Sequence, residues 1–179
     1  MTNTPLMLSV SGVRGIVGET MTEEVAHAYA NAFVSFLHDK LGRIPSLCVA
    51  RDSRPSGPSL QTSAANAFVE CGCKVTDLGV IATPTAGIMI NSLKSDGGII
   101  VTASHNPSPW NGIKCLDGDG LAPSKKDSEE IIKRFRENVT LPVKSGGVME
   151  VNLNGHDTHI AKVLGIIDPN PIREMQFRV

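Results

Sequence analysis

Residues 97–114 of the sequence, GGIIVTASHNPSPWNGIK, bring together side chains that could do chemistry. An apolar run leads to Ser104, whose hydroxyl becomes a nucleophile when a base or a favourable charge lies beside it. His105 and Lys114 are the nearest candidate bases along the chain. Ser104 is therefore a candidate nucleophile. Taken alone, however, the stretch SHNP favours a capped turn in which Ser104 and Asn106 bond to nearby backbone.

Basic residues occur in three segments that are predicted to be loops at or near the carboxyl ends of strands. The segments are SGVRG (11–15), RDSR (51–54) and TASHNP (102–107), which contribute Arg14, Arg51 and Arg54, with Lys114 shortly downstream. Ligands of doubly wound sheets bind at the carboxyl ends of strands, and guanidinium groups make bidentate contacts with phosphate. We therefore expect a phosphate site; the alternative is that these arginines are solvated loop residues.

Other sequence patterns for chemistry are incomplete. The G-x-S-x-G motif of α/β-hydrolases is absent, which argues against simple acyl transfer, and neither G-x-G-x-x-G nor G-K-[ST] occurs. DGDG (117–120) begins like a calcium loop, but Ser128 stands where the twelfth-position acid belongs, so a plain turn is expected. HDTH (156–159) offers two histidines without an evident third ligand, which favours a surface position over a metal site.

Helical and apolar extended patterns alternate along the chain. We predict helices over 22–41 (capped by Thr22 and stopped by Gly42), from Pro58 to Gly72, from Thr83, and after Ser124, with strands over 45–50, 74–81, 97–103 and 112–116. This alternation is typical of an α/β fold, and we expect a mixed, largely parallel sheet sandwiched between helices.

The length of 179 residues suits one domain of ordinary size. We assign residues 1–150 to an N-terminal α/β domain and residues 151–179 to a linker helix and the start of a second domain. A helix over 157–167 and a new strand near the C-terminus are expected. A terminal strand has nothing after it to pack upon, so the pattern suggests a truncated chain or fragment.

Composition argues against several classes of partner. With 17 basic and 18 acidic residues, a net charge of -1 and 4% aromatic residues, the chain lacks the charge and stacking groups expected for nucleic-acid binding. No apolar run approaches the ~20 residues of a membrane span. The cysteines at 48, 71, 73 and 115 have spacings that favour reduced thiols, so we expect a cytoplasmic protein that binds neither nucleic acid nor membrane.

Four motifs in order, SGVRG, RDSR, TASHNP and NGIK, resemble the N-terminal domain of the α-D-phosphohexomutases over about residues 9–116. This family comprises phosphoglucomutase, phosphomannomutase and phosphoglucosamine mutase. The resemblance implies the fold of phosphohexomutase domain I. It also implies reversible transfer of phosphate between the 1- and 6-positions of a hexose, through a phosphoserine enzyme and a bisphosphorylated intermediate.

The resemblance also assigns roles to individual residues. Ser104 matches the serine that carries the phosphoryl group, Arg14 the arginine near it, and His105 and Lys114 the acid/base or electrostatic partners. Phosphate or substrate binding is implied for Arg51, Arg54, Asn106 and Asn111. In the family, Mg²⁺ bridges the phosphoserine and three aspartates of a D-G-D-x-D-R loop in a second domain. Here DGDG lies elsewhere, so the phosphate on Ser104 is the metal ligand expected from this chain.

Two other functions are alternatives to a phosphohexomutase. One is a stand-alone sugar-phosphate-binding module without turnover, and the other is an unfamiliar type of serine hydrolase. The hydrolase is disfavoured because its motif and an acid partner are missing. The remaining domains of a longer chain are the expected partners, and the sequence does not select among glucose, mannose and glucosamine phosphates as substrate.

Overall fold

The computed structural model describes residues 5–178, which form one mixed sheet with helices on both faces. The elements in chain order are β1 (Met7–Ser9), β2 (Gly12–Ile16), α1 (Glu23–Leu41), β3 (Ser46–Arg51), α2 (Gly57–Glu70), β4 (Lys74–Val80), α3 (Thr83–Leu93), β5 (Gly97–Val101), β6 (Trp110–Asp117), α4 (Lys125–Arg136), β7 (Val148–Val151), α5 (Gly155–Leu164) and α6 (Asn170–Glu174). The predicted α/β fold is confirmed.

The seven strands lie in the order β1-β2-β6-β5-β3-β4-β7. Pairings among β5, β3, β4 and β7 are parallel, and those among β1, β2, β6 and β5 are antiparallel. The sheet therefore has a parallel half and an antiparallel half that meet at β5. The loop after β5 leaves a parallel strand at its carboxyl end and turns back directly into an antiparallel neighbour.

Helix ends coincide with the capping residues read from the sequence. The Thr22 hydroxyl accepts a hydrogen bond from the amide of Val25, and Gly42 ends α1 with a φ of 69°, which glycine adopts readily. The Ser124 hydroxyl caps α4 by accepting from the amide of Asp127 at 3.1 Å. Prolines occupy the first turns of α2 and α3. The predicted boundaries of these helices are therefore confirmed to within a residue or two.

Two apolar layers cover the sheet. On one side α1, α2 and α4 pack Phe33, Phe68 and Ile131 into the larger core. On the other side α3 contributes to a smaller core with the strands. Ile99 belongs to the larger core and Ile100 to the smaller, since successive side chains of a strand point to opposite faces. All five residues of β5 are buried, which fixes the strand that leads to Ser104.

Two expectations about local structure are wrong. The segment SGVRG, expected as a loop, is the turn and first part of β2, because its backbone pairs with β6. The strand expected near the C-terminus is absent from the described residues after 151, where helix α6 begins with Pro171 in its first turn. Val179 lies outside the described residues.

The expected domain boundary at 150/151 falls within β7. This strand pairs in parallel with β4 as far as Val151, so the sheet continues across that boundary. The helix expected over 157–167 is observed as α5, and it packs on α3. Within residues 5–178, no helix is long and apolar enough to cross a membrane.

Candidate active site

Ser104 lies on the loop between β5 and β6. It is exposed, directly after the buried segment 97–103, as the apolar run predicts. Its φ of 57° is left-handed, which costs a residue with a side chain about 1–2 kcal/mol. The Ser104 amide donates to Thr102 Oγ1 at 2.9 Å, and His105 Nδ1 lies 3.4 Å from Ser104 Oγ. The structure therefore holds an accessible hydroxyl beside an imidazole.

Arg54 reaches this loop from the segment after β3, and its side chain is only 15% exposed. Nη2 donates to Ser104 O at 3.0 Å and to Asn106 O at 2.7 Å. Nη1 donates to Pro107 O at 3.0 Å and to Trp110 O at 3.1 Å. Nε donates to Asp52 Oδ2 at 3.2 Å. A guanidinium has five N–H donors. All of them are thus directed to the loop backbone and to Asp52.

Two cationic side chains border a cavity next to the Ser104 loop. The cavity has a volume of about 170 Å³ and is lined by Met7, Ser9, Ser11, Gly12, Val13, Arg14, Thr102 and Lys114. Arg14 comes from β2 and Lys114 from β6, which pair in antiparallel register. Arg14 Nη1 donates to Asn106 Oδ1 at 2.8 Å. This cavity is positively charged, and it reaches the threonine that binds the Ser104 amide.

Gly12 allows β2 to approach β6 at this cavity. Its φ is +114°, and a Cβ at this position would overlap the carbonyl oxygen of Ile113. A side chain at residue 12 would therefore displace the strand that carries Arg14. Gly12 is therefore needed for the close approach of two backbones.

Two other predicted site residues are placed differently. Asn111 is fully buried, with Nδ2 donating to Ser56 Oγ at 2.9 Å and Oδ1 accepting from the Gly112 amide at 2.8 Å. Arg51 donates to Asp52 O at 3.3 Å and lines a separate cavity with Gln61 and Asp77. The structure thus groups six of the predicted residues around the Ser104 loop and the cavity beside it: Arg14, Arg54, Ser104, His105, Asn106 and Lys114.

Sequence reasoning missed two residues beside the Ser104 loop, Asp52 and Thr102. Thr102 Oγ1 donates to Asp52 Oδ2 at 2.7 Å, while Asp52 Oδ1 accepts from the Arg54 amide at 3.0 Å. Asp52 lies in the RDSR motif and Thr102 in the TASHNP motif, but the two residues are 50 positions apart in sequence. A polar residue at the end of an apolar run, as Thr102 is, was the available signal.

The described residues do not by themselves fit a magnesium site. Across residues 5–178, no group of three or more His, Cys, Asp or Glu side chains is placed to hold a metal ion. DGDG is a turn in which Asp117 Oδ1 accepts from the amides of Asp119 and Leu121, as expected. The two histidines of HDTH bind Val80 O and Thr85 Oγ1, respectively.

Comparison with known proteins decides the family. The family model described as "Phosphoglucomutase/phosphomannomutase, alpha/beta/alpha domain I" matches residues 6–141. The chain belongs to the phosphoglucomutase/phosphomannomutase family. The match includes all four motifs of the resemblance, and it covers the sheet as far as β6 together with the helix α4 that follows.

Relatives in this family are named as phosphosugar mutases. The probable phosphoglucosamine mutase of Methanothermobacter thermautotrophicus is 37% identical over 135 residues, covering 74% of this chain and 29% of that protein. The phosphoglucosamine/phosphogalactosamine mutase of Sulfurisphaera tokodaii is 30% identical over 176 residues, covering 97% of this chain and 38% of that protein. The chain thus spans about a third of the length of these family members.

Solved structures of the phosphoglucomutase/phosphomannomutase family share the fold. The family protein of Burkholderia thailandensis superposes with a TM-score of 0.75 at 29% identity, covering 90% of this chain and 37% of that chain. A putative phosphomannomutase of Thermus thermophilus gives a TM-score of 0.80 at 22% identity, covering 93% and 37%. The second likeness concerns the fold alone.

Proposed function

We propose that this chain is the phosphoserine-bearing part of a phosphohexomutase, which interconverts hexose 1-phosphate and hexose 6-phosphate. The observation that carries the proposal is the position of Ser104. Its hydroxyl is exposed at the end of a buried strand, 3.4 Å from His105 Nδ1 and next to the cavity of Arg14 and Lys114. Phosphoryl transfer requires mainly positioning and neutralisation of charge, and a hydroxyl on a hydrogen-bonded loop beside two cations supports the proposal on both counts.

The proposed reaction has two balanced transfers. Phosphoserine 104 first gives its phosphoryl group to the free hydroxyl of the bound hexose phosphate. A bond from phosphorus to sugar oxygen forms, the bond to Ser104 Oγ breaks, and the sugar hydroxyl proton passes to Oγ. The resulting bisphosphate then returns its other phosphoryl group to Ser104 Oγ, whose proton passes to the sugar oxygen that leaves. The enzyme ends phosphorylated, as it began.

The basic side chains have distinct roles in this proposal. Arg14 and Lys114 offset the negative charge of the transferring group, and His105 holds or moves the proton of Ser104 Oγ. Asn106 contributes by accepting the hydrogen bond that orients Arg14. The contacts of Asn111 support a role in loop structure rather than a direct phosphate contact. A phosphate contact from Arg51, which faces another cavity, stays a prediction.

The phosphate on Ser104 is the ligand that this chain is proposed to offer to magnesium. A bound Mg²⁺ would supply further neutralisation of phosphoryl charge. Since the described residues provide no carboxylate cluster for it, the other ligands are assigned to the remaining domains of a longer chain. Such domains also have a surface to bind. Large apolar side chains are exposed along β7, α5 and α6, among them Val151, Ile160 and Ile172.

We also propose that the protein is cytoplasmic. All four cysteines are buried free thiols. Burial raises the pKa of Cys73 and of Cys115 to about 12, so these thiols stay protonated and poorly reactive. Reduced structural cysteines of this kind suit a reducing compartment.

A coupled mutase assay tests the function. The substrates are glucose 1-phosphate, mannose 1-phosphate and glucosamine 1-phosphate, with magnesium and a hexose bisphosphate as activator. The longest reading frame that contains this chain is assayed beside the 179-residue chain. We expect turnover of at least one substrate by the longer protein, loss of that turnover in Ser104→Ala, and none from the chain alone.

Three results would contradict the proposal. Undiminished turnover by Ser104→Ala would remove Ser104 from the chemistry. Turnover by the 179-residue chain at the rate of the longer protein would show that the site is misplaced. Binding of sugar phosphates without turnover by either protein would favour the stand-alone binding module.

A further inference from the structure

We propose that Arg54, anchored by Asp52, is a positioning residue that holds Ser104 in its reactive conformation. The inference rests on the proposed phosphoryl transfer at Ser104 and adds a residue to it. Arg54 acts through the backbone of the loop rather than through a phosphate of the substrate. Its contacts, the conformation of Ser104 and the anchoring of Asp52 each support this role.

The guanidinium of Arg54 donates hydrogen bonds to several backbone carbonyls of the Ser104 loop. It donates to the carbonyl oxygens of residues 104, 106 and 107, in the loop without regular structure, and of residue 110, the first residue of β6. Backbone carbonyl groups need hydrogen-bond donors, and here a single side chain serves four of them. Lysine has three donors at one atom and lacks the planar fork.

Ser104 adopts a backbone conformation that needs such support. Its φ of 57° is unfavourable for serine, and conformations of this kind persist where the surroundings over-determine them. The Ser104 carbonyl accepts from Arg54 Nη2 at 3.0 Å, and its amide donates to Thr102 Oγ1 at 2.9 Å. Both peptide groups that flank the Ser104 Cα are therefore held, which sets the direction of the Oγ.

Asp52 ties Arg54 and Thr102 to the sheet. Its Oδ2 accepts from Arg54 Nε at 3.2 Å and from Thr102 Oγ1 at 2.7 Å, and its Oδ1 accepts from the Arg54 amide at 3.0 Å. The Asp52 amide donates to Val101 O, at the end of β5. A closed set of hydrogen bonds therefore runs from the sheet through Asp52 to both sides of Ser104.

This arrangement distinguishes positioning from phosphate binding. All five N–H donors of Arg54 are directed to the loop and to Asp52. A phosphate contact from Arg54 would require the guanidinium to release at least one loop carbonyl. The cations that line the cavity, Arg14 and Lys114, are the ones placed to meet an anion.

The test compares Arg54→Lys and Arg54→Ala with Arg134→Ala in the longest reading frame that contains this chain. Arg134 is the matched control, because its side chain is 17% exposed and bound to Asp39 and Glu130, on α1 and α4. The first readout is the rate of Ser104 phosphorylation by glucose 1,6-bisphosphate across a concentration series. The second is hydrogen exchange of the Ser104 amide, which reports the loop without any chemistry.

We expect Arg54→Lys to slow phosphorylation at saturating bisphosphate at least 100-fold, roughly the effect of removing one catalytic donor, with the half-saturating concentration within threefold of wild type. Exchange of the Ser104 amide is expected to rise at least tenfold. Millimolar ethylguanidinium is expected to restore part of the rate to Arg54→Ala, by filling the space left beside the loop, and to leave Arg134→Ala unchanged.

The outcomes separate the positioning role of Arg54 from the proposed phosphoryl transfer at Ser104. Wild-type exchange and a wild-type rate in Arg54→Lys would overturn the positioning role. A raised half-saturating concentration with unchanged exchange would overturn it in favour of a phosphate contact. Faster exchange in Arg54→Lys, in a protein whose Ser104 is never phosphorylated, would support loop positioning and contradict the proposed function. If the Arg54 variants do not fold, Asp52→Asn, which removes one acceptor at constant size, is expected to shift both readouts in the same directions, and wild-type values would overturn the proposal.

Discussion

Replacing Gly12 by alanine is predicted to damage the site through its backbone. The residue has a φ of +114°, and an added Cβ would overlap the carbonyl oxygen of Ile113 and lie 3.1 Å from the Cα of Lys114. The neighbours are backbone atoms of β6, which cannot rotate away as a side chain would. The substitution therefore has to move β2, and with it Arg14, relative to Lys114.

Gly18→Ala is the matched control for the size of the effect. Gly18 also has a positive φ, +77°, but nothing lies within 4 Å of its added Cβ. A left-handed residue costs about 1–2 kcal/mol, part of which is offset because alanine stiffens the unfolded chain, so about 1 kcal/mol is expected for Gly18→Ala. Gly12→Ala has this cost and about two disturbed backbone hydrogen bonds at about 1 kcal/mol each, giving about 3 kcal/mol.

Urea denaturation measures the free energy of unfolding of both variants, and hydrogen exchange of β1 and β2 shows whether the loss is local to that edge. We expect either a difference of about 2 kcal/mol between the two variants or selective exchange of these strands in Gly12→Ala. Equal stability of the two variants, within about 0.5 kcal/mol, together with protected β1 and β2 amides would refute the close approach of the backbones.

Three further predictions concern the site and the core. Thr102→Val should lower the free energy of unfolding by about 2–4 kcal/mol, because it removes a hydrogen bond to the Asp52 carboxylate and the acceptor of a loop amide, whereas Thr102→Ser should keep most of the stability in the same urea titration. Lys114→Met should lower kcat/KM of the longer protein at least about 100-fold in the coupled assay, since it removes a cation from the cavity, and the exposed Lys125→Met should not. Burial raises the pKa of the Cys115 thiol from 9.0 to about 12, so the unfolded state loses this proton at a lower pH than the folded state. The stabilisation that results is fully present below pH 9, and it falls by about 1.4 kcal/mol per pH unit as the pH rises towards 12. Cys115→Ala should remove this part of the alkaline slope in urea titrations from pH 8 to 11, and an unchanged slope would contradict it.

Local signals in the sequence were sufficient for the helices and for the strand that carries the nucleophile. The hydroxyls of Thr22 and Ser124 accept hydrogen bonds from amides three residues later, so a few consecutive residues of sequence are enough to predict these caps. The apolar run before Ser104 predicts a buried strand followed by an exposed loop, as found. Such features depend on neighbours in sequence, which a single chain displays directly.

The remaining features depend on partners distant in sequence. The segment at Arg14 is a strand because it pairs with β6, about a hundred positions later, although its glycines suggest a loop. Phosphate binding is expected of Arg54 because a guanidinium suits phosphate. In the structure, its Nη1 and Nη2 donate to four carbonyl oxygens that are 50 or more residues away in sequence. Asn111 was expected at the site, but tertiary packing buries it against Ser56.

The central claim is that Ser104 carries the phosphoryl group. Its most direct test is peptide mapping of the longer protein after exposure to a hexose 1,6-bisphosphate. We predict a single phosphate on the peptide that contains Ser104, absent from Ser104→Ala and retained in Ser108→Ala, which alters an exposed serine of the same loop. A phosphate on another residue, unaffected by Ser104→Ala, would contradict the account. So would turnover of hexose phosphates by a protein in which Ser104 never carries a phosphate.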